Sequence, residues 1–273
     1  MNIGCIQDCK GCRKYFPGKL LSPYINSFQV FSGGFEFYRV IDLYPDGGIG
    51  LIVNLGESVT INEKVLGKGV YFDGANSRNV SLCIDGKVNL IRIRFNPGMF
   101  YLFFKMNLSN YHNVLDNLCF TNNIFPRNFF KFLEFCDSDI QKITAVETWL
   151  TYNLSDPDNN ILLVLSILKH INSNQYDIKL QALAEDMGVE IRRLQRLFRK
   201  VVGMTPKKLV KLLRADNARR MLDANDSLSC LDITYRCGYY DQAHFNREFK
   251  GFYEITPSEY RKRAVEKRSN YIA

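Results

Sequence analysis

The sequence predicts an α+β protein in which a β-rich amino-terminal region precedes an all-helical carboxyl-terminal region. Short apolar segments separated by Gly, Asn and Asp turns fill residues 24–97, a pattern typical of a small β-barrel or sandwich. After Asn96-Pro97-Gly98, apolar residues recur at helical spacing instead. With 273 residues, the chain is long enough for two separate cores.

The clearest strand is NLIRIRF, in which Ile91, Ile93 and Phe95 alternate with Arg92 and Arg94. Alternation with a period of two places successive side chains on opposite faces of a sheet. We therefore expect one buried face and one solvent-facing face, with both arginines in water.

Helical segments continue the first region beyond its strands: MFYLFFKM, FPRNFFKFLEF and DIQKITAVETWLTYNL. The segment SDPDNN then interrupts the helical pattern with Asp, Pro and Asn. We therefore predict a β-rich regulatory domain with its following helices at 1–155, a linker at 156–160 and a helical domain at 161–273.

Helix-capping residues divide the last region. Thr205-Pro206 and Thr256-Pro257 each place an N-cap residue before a proline at the first helical position. Ser229 with Asp232 begins another helix in the same manner. Seven helices are predicted, at about 161–172, 178–187, 190–202, 206–223, 230–237, 241–252 and 257–267.

The positive charge is confined to this helical region. Residues 1–160 carry 15 Lys+Arg and 15 Asp+Glu, for a net charge of 15 − 15 = 0. Residues 161–273 carry 21 and 13, for 21 − 13 = +8. A basic domain joined to a neutral one is typical of polyanion binding. Basic surfaces also promote solubility, so charge alone leaves both interpretations open.

An internal repeat favours nucleic acid. LFRKVVGMTP (Leu197–Pro206) and EFKGFYEITP (Glu248–Pro257) begin 51 residues apart and share an aromatic residue, a basic residue and a closing Thr-Pro. Each follows a short apolar helix and a Gly-containing turn, which is the helix-turn-helix plan. The second helix of each copy is expected to enter the DNA major groove.

In both of these second helices, apolar residues recur at the three- and four-residue spacing that faces a core. The opposite faces are rich in Arg, Gln and Asn, whose side chains hydrogen-bond to base edges. Solvated helix faces have similar compositions, but two matched copies in a basic region favour DNA. The polar residues are Arg192, Arg193, Gln195, Arg196 and Arg199 in the first copy, and Gln242, His244, Asn246 and Arg247 in the second.

GYYDQAHFNREFKGFYEITPSEY (Gly238–Tyr260) resembles the signature of the AraC/XylS transcription regulators, and the similarity extends back to about Ile178. The resemblance implies a seven-helix DNA-binding domain in which two helix-turn-helix units, joined by a long helix, read successive major-groove segments. It also implies contact with RNA polymerase, and activation more often than repression. The family's base-contacting positions fall on Arg192, Gln195, Arg196, Gln242, His244, Asn246 and Arg247.

Neighbouring basic residues are predicted to contact DNA phosphates: Arg199, Lys200, Lys207, Lys208 and Lys250. The chain departs from the family pattern at three positions. Thr234 replaces a small Ala, Gly251 replaces a basic residue, and Glu254 replaces a Gly. Glu254 must therefore end its helix without the freedom of glycine to adopt a positive φ.

The first region also resembles the amino-terminal half of some of these regulators. LLSPYINSFQVF, YPDGGIGLIVNLG and LIRIRFNPGMFYLF are similar to the β-rich sensory half found in one branch of these regulators. In related proteins that half holds a small-molecule effector, a dimer contact, or both. Aromatic candidates for lining an effector pocket, or simply for the core, are Phe35, Phe37, Tyr38, Tyr71 and Phe72. No cofactor beyond such an effector is expected.

Three of the eight cysteines form a group, CIQDCKGC, with Cys5, Cys9 and Cys12 at the spacing used by radical-SAM enzymes. That chemistry requires a large α/β barrel, for which the strand pattern leaves no room. The three thiols could still bind zinc or an iron–sulfur cluster with a fourth ligand, act as a redox switch, or lie in a reduced tail. A metal- or redox-responsive regulator is therefore the alternative hypothesis.

Enzymatic function is not expected. The three histidines, His112, His170 and His244, lie outside the strand pattern, so a metal-dependent cupin lacks its ligands. Hydrolase, phosphate-loop and dinucleotide-binding motifs are missing, and Gly33-Gly34 and Gly47-Gly48 are interpreted as turns. We found no signal-peptide pattern, and the longest strongly apolar run is Ile161–Leu168.

We therefore expect a cytoplasmic regulator that binds double-stranded DNA, with RNA polymerase, a small-molecule effector and a second copy of itself as further partners and with no membrane contact. A non-specific architectural DNA-binding protein remains the other alternative.

Overall fold

The computed structural model describes residues 5–8, 12–117, 124–173, 179–224 and 227–269. Strands dominate the first half and helices the second. The strands are β1 (Cys5–Asp8), β2 (Cys12–Tyr15), β3 (Ile25–Leu43), β4 (Gly50–Asn54), β5 (Val59–Ile61), β6 (Lys64–Leu66), β7 (Gly69–Asp73), β8 (Val80–Phe95) and β9 (Leu115–Asp116). The helices are α1 (Phe100–Phe104), α2 (Arg127–Glu134), α3 (Asp139–Asn153), α4 (Asn159–Ser173), α5 (Leu180–Asp186), α6 (Ile191–Val202), α7 (Pro206–Ala224), α8 (Cys230–Arg236), α9 (Gln242–Tyr253) and α10 (Pro257–Ser269).

The described strands form one antiparallel sheet in the order β1-β2-β3-β8-β4-β7-β9, with the β5–β6 hairpin joined to β8. The two end strands, β1 and β9, do not pair with each other. The predicted β-rich domain is confirmed, but this sheet is open where a closed barrel was one expectation.

The strands β3 and β8 are longer than the short strands that the sequence pattern predicted. They contain 19 and 16 residues and pair along most of their length. Gly33-Gly34, interpreted from sequence as a turn, pairs instead with Val88 and Lys87 inside the ladder. Glycine is usually a turn residue, but within a long ladder its backbone still hydrogen-bonds, and it often marks a bulge or bend there.

Both faces of this sheet are covered, and the expectation of a solvent-facing arginine face was wrong. Arg92 and Arg94 are 3% and 1% exposed. They lie on the same side of β8 as Leu90, where a second apolar cluster covers the sheet. Buried charges require partners, and two carboxylates provide them.

Asp73 is the centre of this buried ion network. Its Oδ2 accepts hydrogen bonds from Arg92 Nη2 at 2.8 Å and from Arg94 Nη1 at 3.0 Å. Arg94 also pairs with Asp46, in the turn after β3. Burial by itself would raise the pKa of Asp46, but the charges of Arg94 and Arg92 and the hydrogen bonds from Arg94 and the Gly48 N–H together outweigh it, and the pKa falls to about 2.

We expect Asp73→Asn to destabilise the protein by about 3–5 kcal/mol, because it leaves two buried guanidinium groups without their shared anion. The free energy of unfolding, measured by urea denaturation, tests this. The matched control is Asp116→Asn, which breaks the exposed Lys64–Asp116 pair at 3.5 Å and should cost less than about 1 kcal/mol. Equal losses in the two variants would contradict a structural role for the network.

The helices α1 and α3 close one face of the sheet through an aromatic cluster. The ring centroids of Phe95 and Phe100 are 5.1 Å apart, and those of Phe104 and Trp149 are 5.6 Å apart. The N-terminus of α3 is fixed by a capping box between Ser138 and Gln141. The helices predicted after Gly98 are confirmed. Together with β1–β9 they form what we call the sheet-rich region.

The helices α4–α10, which we call the helical region, match the seven predicted segments to within about two residues. The predicted caps form: Thr205 Oγ1 accepts from the Lys208 N–H at 3.2 Å, and Thr256 and Glu259 bond reciprocally. The helix α4 begins at Asn159, inside the segment predicted as a linker. Among the described helices, none combines the length and the apolar composition that a bilayer crossing requires.

The two regions share one continuous apolar core. A methyl group added at Gly98, after β8, would stand 3.0 Å from Leu168 of α4 and 3.5 Å from Val202 of α6. Backbone hydrogen bonds also cross between them, from the Leu108 N–H to the Lys200 carbonyl at 2.9 Å and from the Asn79 N–H to the Phe252 carbonyl at 3.1 Å. The sheet-rich region thus contacts the last turns of both α6 and α9.

The helices α6 and α9 end in the same conformation with different residues. Gly203 caps α6 with φ +82°, and Glu254 caps α9 with φ +65°. The missing glycine therefore does not move the end of α9, because Glu254 adopts the left-handed conformation and its N–H bonds to the Lys250 carbonyl at 2.9 Å. A side chain in this conformation costs about 1–2 kcal/mol.

Replacing Glu254 by Gly should therefore stabilise the protein by about 1 kcal/mol. Thermal unfolding followed by circular dichroism measures this as a higher Tm. The converse substitution at the end of α6, Gly203→Ala, should lower the Tm. It adds a Cβ to a residue with a positive φ, and this Cβ would lie 3.2 Å from the Cβ of Ala75. A Tm that does not rise in Glu254→Gly would show that the glutamate makes a compensating contact.

Candidate nucleic-acid interface

The first helix-turn-helix unit consists of α5, a turn in which Gly188 has φ +60°, and α6. Leu194, Phe198 and Val201 of α6 are completely buried. They hold the helix against its neighbours because apolar side chains at three- and four-residue spacing share one face. The opposite face of α6 is left to solvent.

That solvent face carries the predicted base-contacting residues of the first unit. Arg192 and Arg196 are exposed and Gln195 is partly exposed. None of the three side chains has a hydrogen bond or an ion pair with a residue that the structure describes. Their donor groups are therefore available to a ligand.

The second unit consists of α8, a turn in which Gly238 has φ +72°, and α9. Asp241 is the N-cap of α9, and its side chain accepts from the His244 N–H at 2.6 Å. Phe245 and Phe249 are completely buried. The two units thus repeat the same construction: a short helix, a glycine turn and a longer helix seated on aromatic or aliphatic residues.

The predicted base-contacting residues on α9 divide into two groups. Gln242 and Arg247 are exposed and Asn246 is partly exposed, and their side chains have no polar partner within the described part of the chain. His244 differs, because its Nε2 is 3.6 Å from Glu248 Oε2 and its ring packs edge-on against Tyr239. The histidine is thus partly engaged inside its own unit.

Sequence reasoning missed the residues that attach α9 to α7. Glu248 is 9% exposed and accepts from Arg214 Nη2 at 2.6 Å and from Arg214 Nε at 3.0 Å. Arg214 also lies over the ring of Tyr239, 4.4 Å from its centroid. The available signal was the spacing of Glu248, three residues after Phe245 on the buried stripe. A carboxylate at such a position requires a cation.

The predicted phosphate-contacting residues differ in the contacts that their side chains make. Arg199, Lys200, Lys207 and Lys250 are exposed and Lys208 is partly exposed. Lys200 Nζ lies 5.6 Å from the ring centroid of Tyr101, and Lys208 Nζ lies 2.6 Å from His112 Nε2. Two of the five cations are therefore directed toward the sheet-rich region in this structure. Contact of these residues with DNA stays a prediction.

The other predicted sites are only partly described. Cys12 is buried on β2, the backbone of Cys5 belongs to β1, and Cys9 lies outside the described residues. No group of three metal-ligating residues occurs in the described part of the chain, so the metal or redox hypothesis stays a prediction. Of the aromatic pocket candidates, Phe72 is fully buried in the core whereas Tyr38 is 63% exposed. The side chains of Phe35 and Phe37 lie outside the described residues, and an effector pocket stays a prediction.

Solved structures of two proteins are similar to this chain. ToxT from Vibrio cholerae matches 82% of this chain and 97% of its own, with 11% identity and a TM-score of 0.46. An AraC-type DNA-binding regulator from Chromobacterium violaceum matches 37% of this chain and 91% of its own, with 28% identity and a TM-score of 0.34.

Sequence comparison gives two family matches and several characterised relatives. Residues 183–263 match a helix-turn-helix domain, and residues 13–115 match a domain of unknown function. The transcriptional activator RhaS from Escherichia coli is 30% identical over 112 residues, covering 41% of this chain and 39% of that protein. RhaS from Mannheimia succiniciproducens is 27% identical over 179 residues, covering 56% and 64%. The chain thus spans about two fifths of the first relative and under two thirds of the second.

The helix-turn-helix match covers α6, α7, α8 and α9, the elements that carry both exposed polar faces. The relatives similar to this chain are transcription regulators rather than enzymes. This agrees with the sequence analysis, which predicted no enzymatic function. The helical region of this chain is therefore similar to the helix-turn-helix domain of AraC/XylS-type transcription regulators.

Proposed function

We propose that this protein is a sequence-specific DNA-binding transcription regulator whose helices α6 and α9 enter two successive major-groove segments of double-stranded DNA. One observation carries the proposal. Two matched units each bury the apolar stripe of their second helix and expose a face whose arginines have no partner among the described residues. Arg, Gln and Asn on such a face have the donors and acceptors that distinguish base pairs.

The length of α7 suits this arrangement. This helix joins the two units and contains 19 residues, which corresponds to about 28 Å. Successive major-groove faces on one side of B-DNA lie about 34 Å apart. A rigid connection of similar length supports binding of both units to the same side of one duplex.

Affinity is expected to come mainly from the charge of the helical region. Its net charge of +8 (21 Lys+Arg less 13 Asp+Glu over residues 161–273) displaces counterions from DNA phosphates when the protein binds. Affinity should therefore fall steeply with salt, and base contacts at α6 and α9 then select the sequence.

Regulation is proposed to act through the sheet-rich region, with a small-molecule effector and RNA polymerase as further partners. Activation is the proposed direction, because both RhaS relatives are named activators. Contacts from Leu108 to α6 and from Asn79 to α9 support a route by which a change in the sheet-rich region reaches both reading helices. Selection of bound genomic fragments, with and without small-molecule extracts, tests this.

Arg196→Ala and Arg247→Ala are each expected to relax selectivity at a different base position, because one lies on α6 and the other on α9. Each loss should be about 1–3 kcal/mol on the preferred site. Competition binding against sites substituted one base pair at a time measures both effects.

The controls are Arg199→Ala on α6 and Lys250→Ala on α9, each about one turn from the tested arginine. They should weaken all sequences by the same factor and lower the salt dependence, because phosphates carry no sequence information. If both Arg196→Ala and Arg247→Ala retained full discrimination, the proposed reading faces would be wrong. Equal affinity of the wild type for random and selected DNA would indicate an architectural protein instead.

A homodimer is also proposed, through an apolar groove of about 820 Å³ between α2 and α3. Phe135 is 83% and Tyr152 86% exposed at this groove, and exposed aromatic clusters of this kind are typical of protein contacts. We expect Phe135→Asp to yield a monomer in analytical ultracentrifugation where the wild type is a dimer. A monomeric wild type, or a dimer that survives the substitution, would argue against this interface.

A further inference from the structure

Two basic side chains meet where the two regions join, and the charge of a third, the exposed Arg78, acts on both of them. Lys208 lies in the first turn of α7, His112 in the segment before β9, and Arg78 in the loop between β7 and β8. Lys208 Nζ is 2.6 Å from His112 Nε2, and Ser77 Oγ is 3.1 Å from the same nitrogen. We call Arg78, His112 and Lys208 the junction cluster.

The loops that carry Arg78 and His112 are fixed to each other. The Gly74 N–H donates to the Val114 carbonyl at 2.9 Å, and the Ser77 N–H donates to Asn113 Oδ1 at 2.8 Å. A Cβ at Gly74 would stand 2.9 Å from the same Val114 oxygen, so only glycine allows this approach. The cluster therefore does not depend on a freely moving loop.

Within the described part of the chain, no carboxylate forms an ion pair with these groups. Burial lowers the pKa of Lys208, and the charge of Arg78 lowers it further. Burial lowers the pKa of His112, and the charges of Lys208 and Arg78 lower it further, against the opposing effect of a backbone hydrogen bond with Ala75. No carboxylate contributes to either pKa, and Arg78 has no hydrogen bond or ion pair with any residue that the structure describes. Like charges held together without a counterion cost free energy.

We propose that the junction cluster is a phosphate-binding site shared between the sheet-rich region and α7. Arg78 and Lys208 supply two cationic donors, Ser77 supplies a hydroxyl donor, and His112 can donate once it is protonated. Several convergent donors suit the oxygens of a phosphate group. The phosphate belongs either to the DNA backbone, a case that rests on the proposed function, or to a free phosphorylated molecule.

Binding at this site is coupled to a proton. Lys208 is a donor only, so in the free protein His112 Nε2 accepts from it and the imidazole is neutral. A phosphate oxygen would take over the hydrogen bond of Lys208, and His112 would bind a proton and donate from Nε2. The charged groups facing His112 are Lys208 of α7 and Arg78 of the β7–β8 loop; Ser77 and Asn113 are polar neighbours. Phosphate should therefore bind more tightly as the pH falls through the range in which His112 titrates.

The DNA arm of the test uses the full chain and a selected DNA site. Each phosphate contact adds about 0.9 to the slope of log affinity against log salt, or about 3.5-fold between 50 and 200 mM. Arg78→Ala should remove one such contact. The control is Lys87→Ala, which removes the same charge from an exposed position of the sheet-rich region. Equal urea midpoints for the two variants would show that both remain folded.

The second arm uses inorganic phosphate and needs no DNA. The chain has three histidines, and the imidazole signals of His112 are identified in the NMR spectrum by their loss in His112→Asn. Phosphate should raise the pKa of His112 in the wild type and in Lys87→Ala, and not in Arg78→Ala.

A lower salt slope in Arg78→Ala would support a backbone phosphate as the ligand. A phosphate-dependent His112 pKa with an unchanged slope would support a free phosphorylated molecule. If phosphate left His112 unaffected and Arg78→Ala and Lys87→Ala had the same slope, the site would be refuted. A protein that binds no DNA would refute the proposed function, and the phosphate titration would still decide the site.

Discussion

The buried carboxylate of Asp73 is the centre of the ion network that holds two loops of the sheet-rich region in place. Together with Asp46, it neutralises Arg92 and Arg94, whose burial requires such partners. Arg94 in turn holds the turn after β3, where its Nη2 donates to the Gly48 carbonyl at 2.9 Å. The Asp73 Oδ1 also accepts from Asn76 at 2.5 Å. One ion network thus fixes two loops.

Both of these loops face the helical region. A Cβ at Gly47 would stand 3.6 Å from Leu212 of α7, and the loop after Asp73 carries the junction cluster residue Arg78. A buried ion network is not by itself a source of stability, because desolvation offsets much of the attraction. Its effect here is geometric: charged groups with several fixed donors permit few alternative arrangements of the loops they hold.

The two helix-turn-helix units are similar in plan and different in detail. The first ends in a glycine, and aliphatic residues and one phenylalanine pack its second helix, α6, against the core. The second ends in Glu254, and its helix α9 is fixed to α7 by the Arg214–Glu248 pair at 2.6 Å. Because α7 joins the units and packs against the sheet-rich region, a shift of that region would act on both. Backbone contacts at Lys200 and Phe252 reach the ends of the same two helices.

Local patterns were sufficient to predict the helical region. Its seven helices, their caps and the exposed faces of α6 and α9 follow from three- and four-residue periodicity and from Thr-Pro, Ser and Asp capping residues, all of which act within a few residues of each other. The strand region was predicted in type but not in extent, since Gly33-Gly34 are part of a long ladder rather than a turn.

Tertiary packing decided what local patterns could not. Alternation along NLIRIRF was correct, yet it could not show that a second apolar cluster and two distant carboxylates would cover Arg92 and Arg94. The partners of Glu248 and Lys208 likewise lie 34 and 96 residues away in the chain. Polar contacts of this kind depend on which surfaces the fold brings together, and residue spacing along one helix or strand does not contain that information.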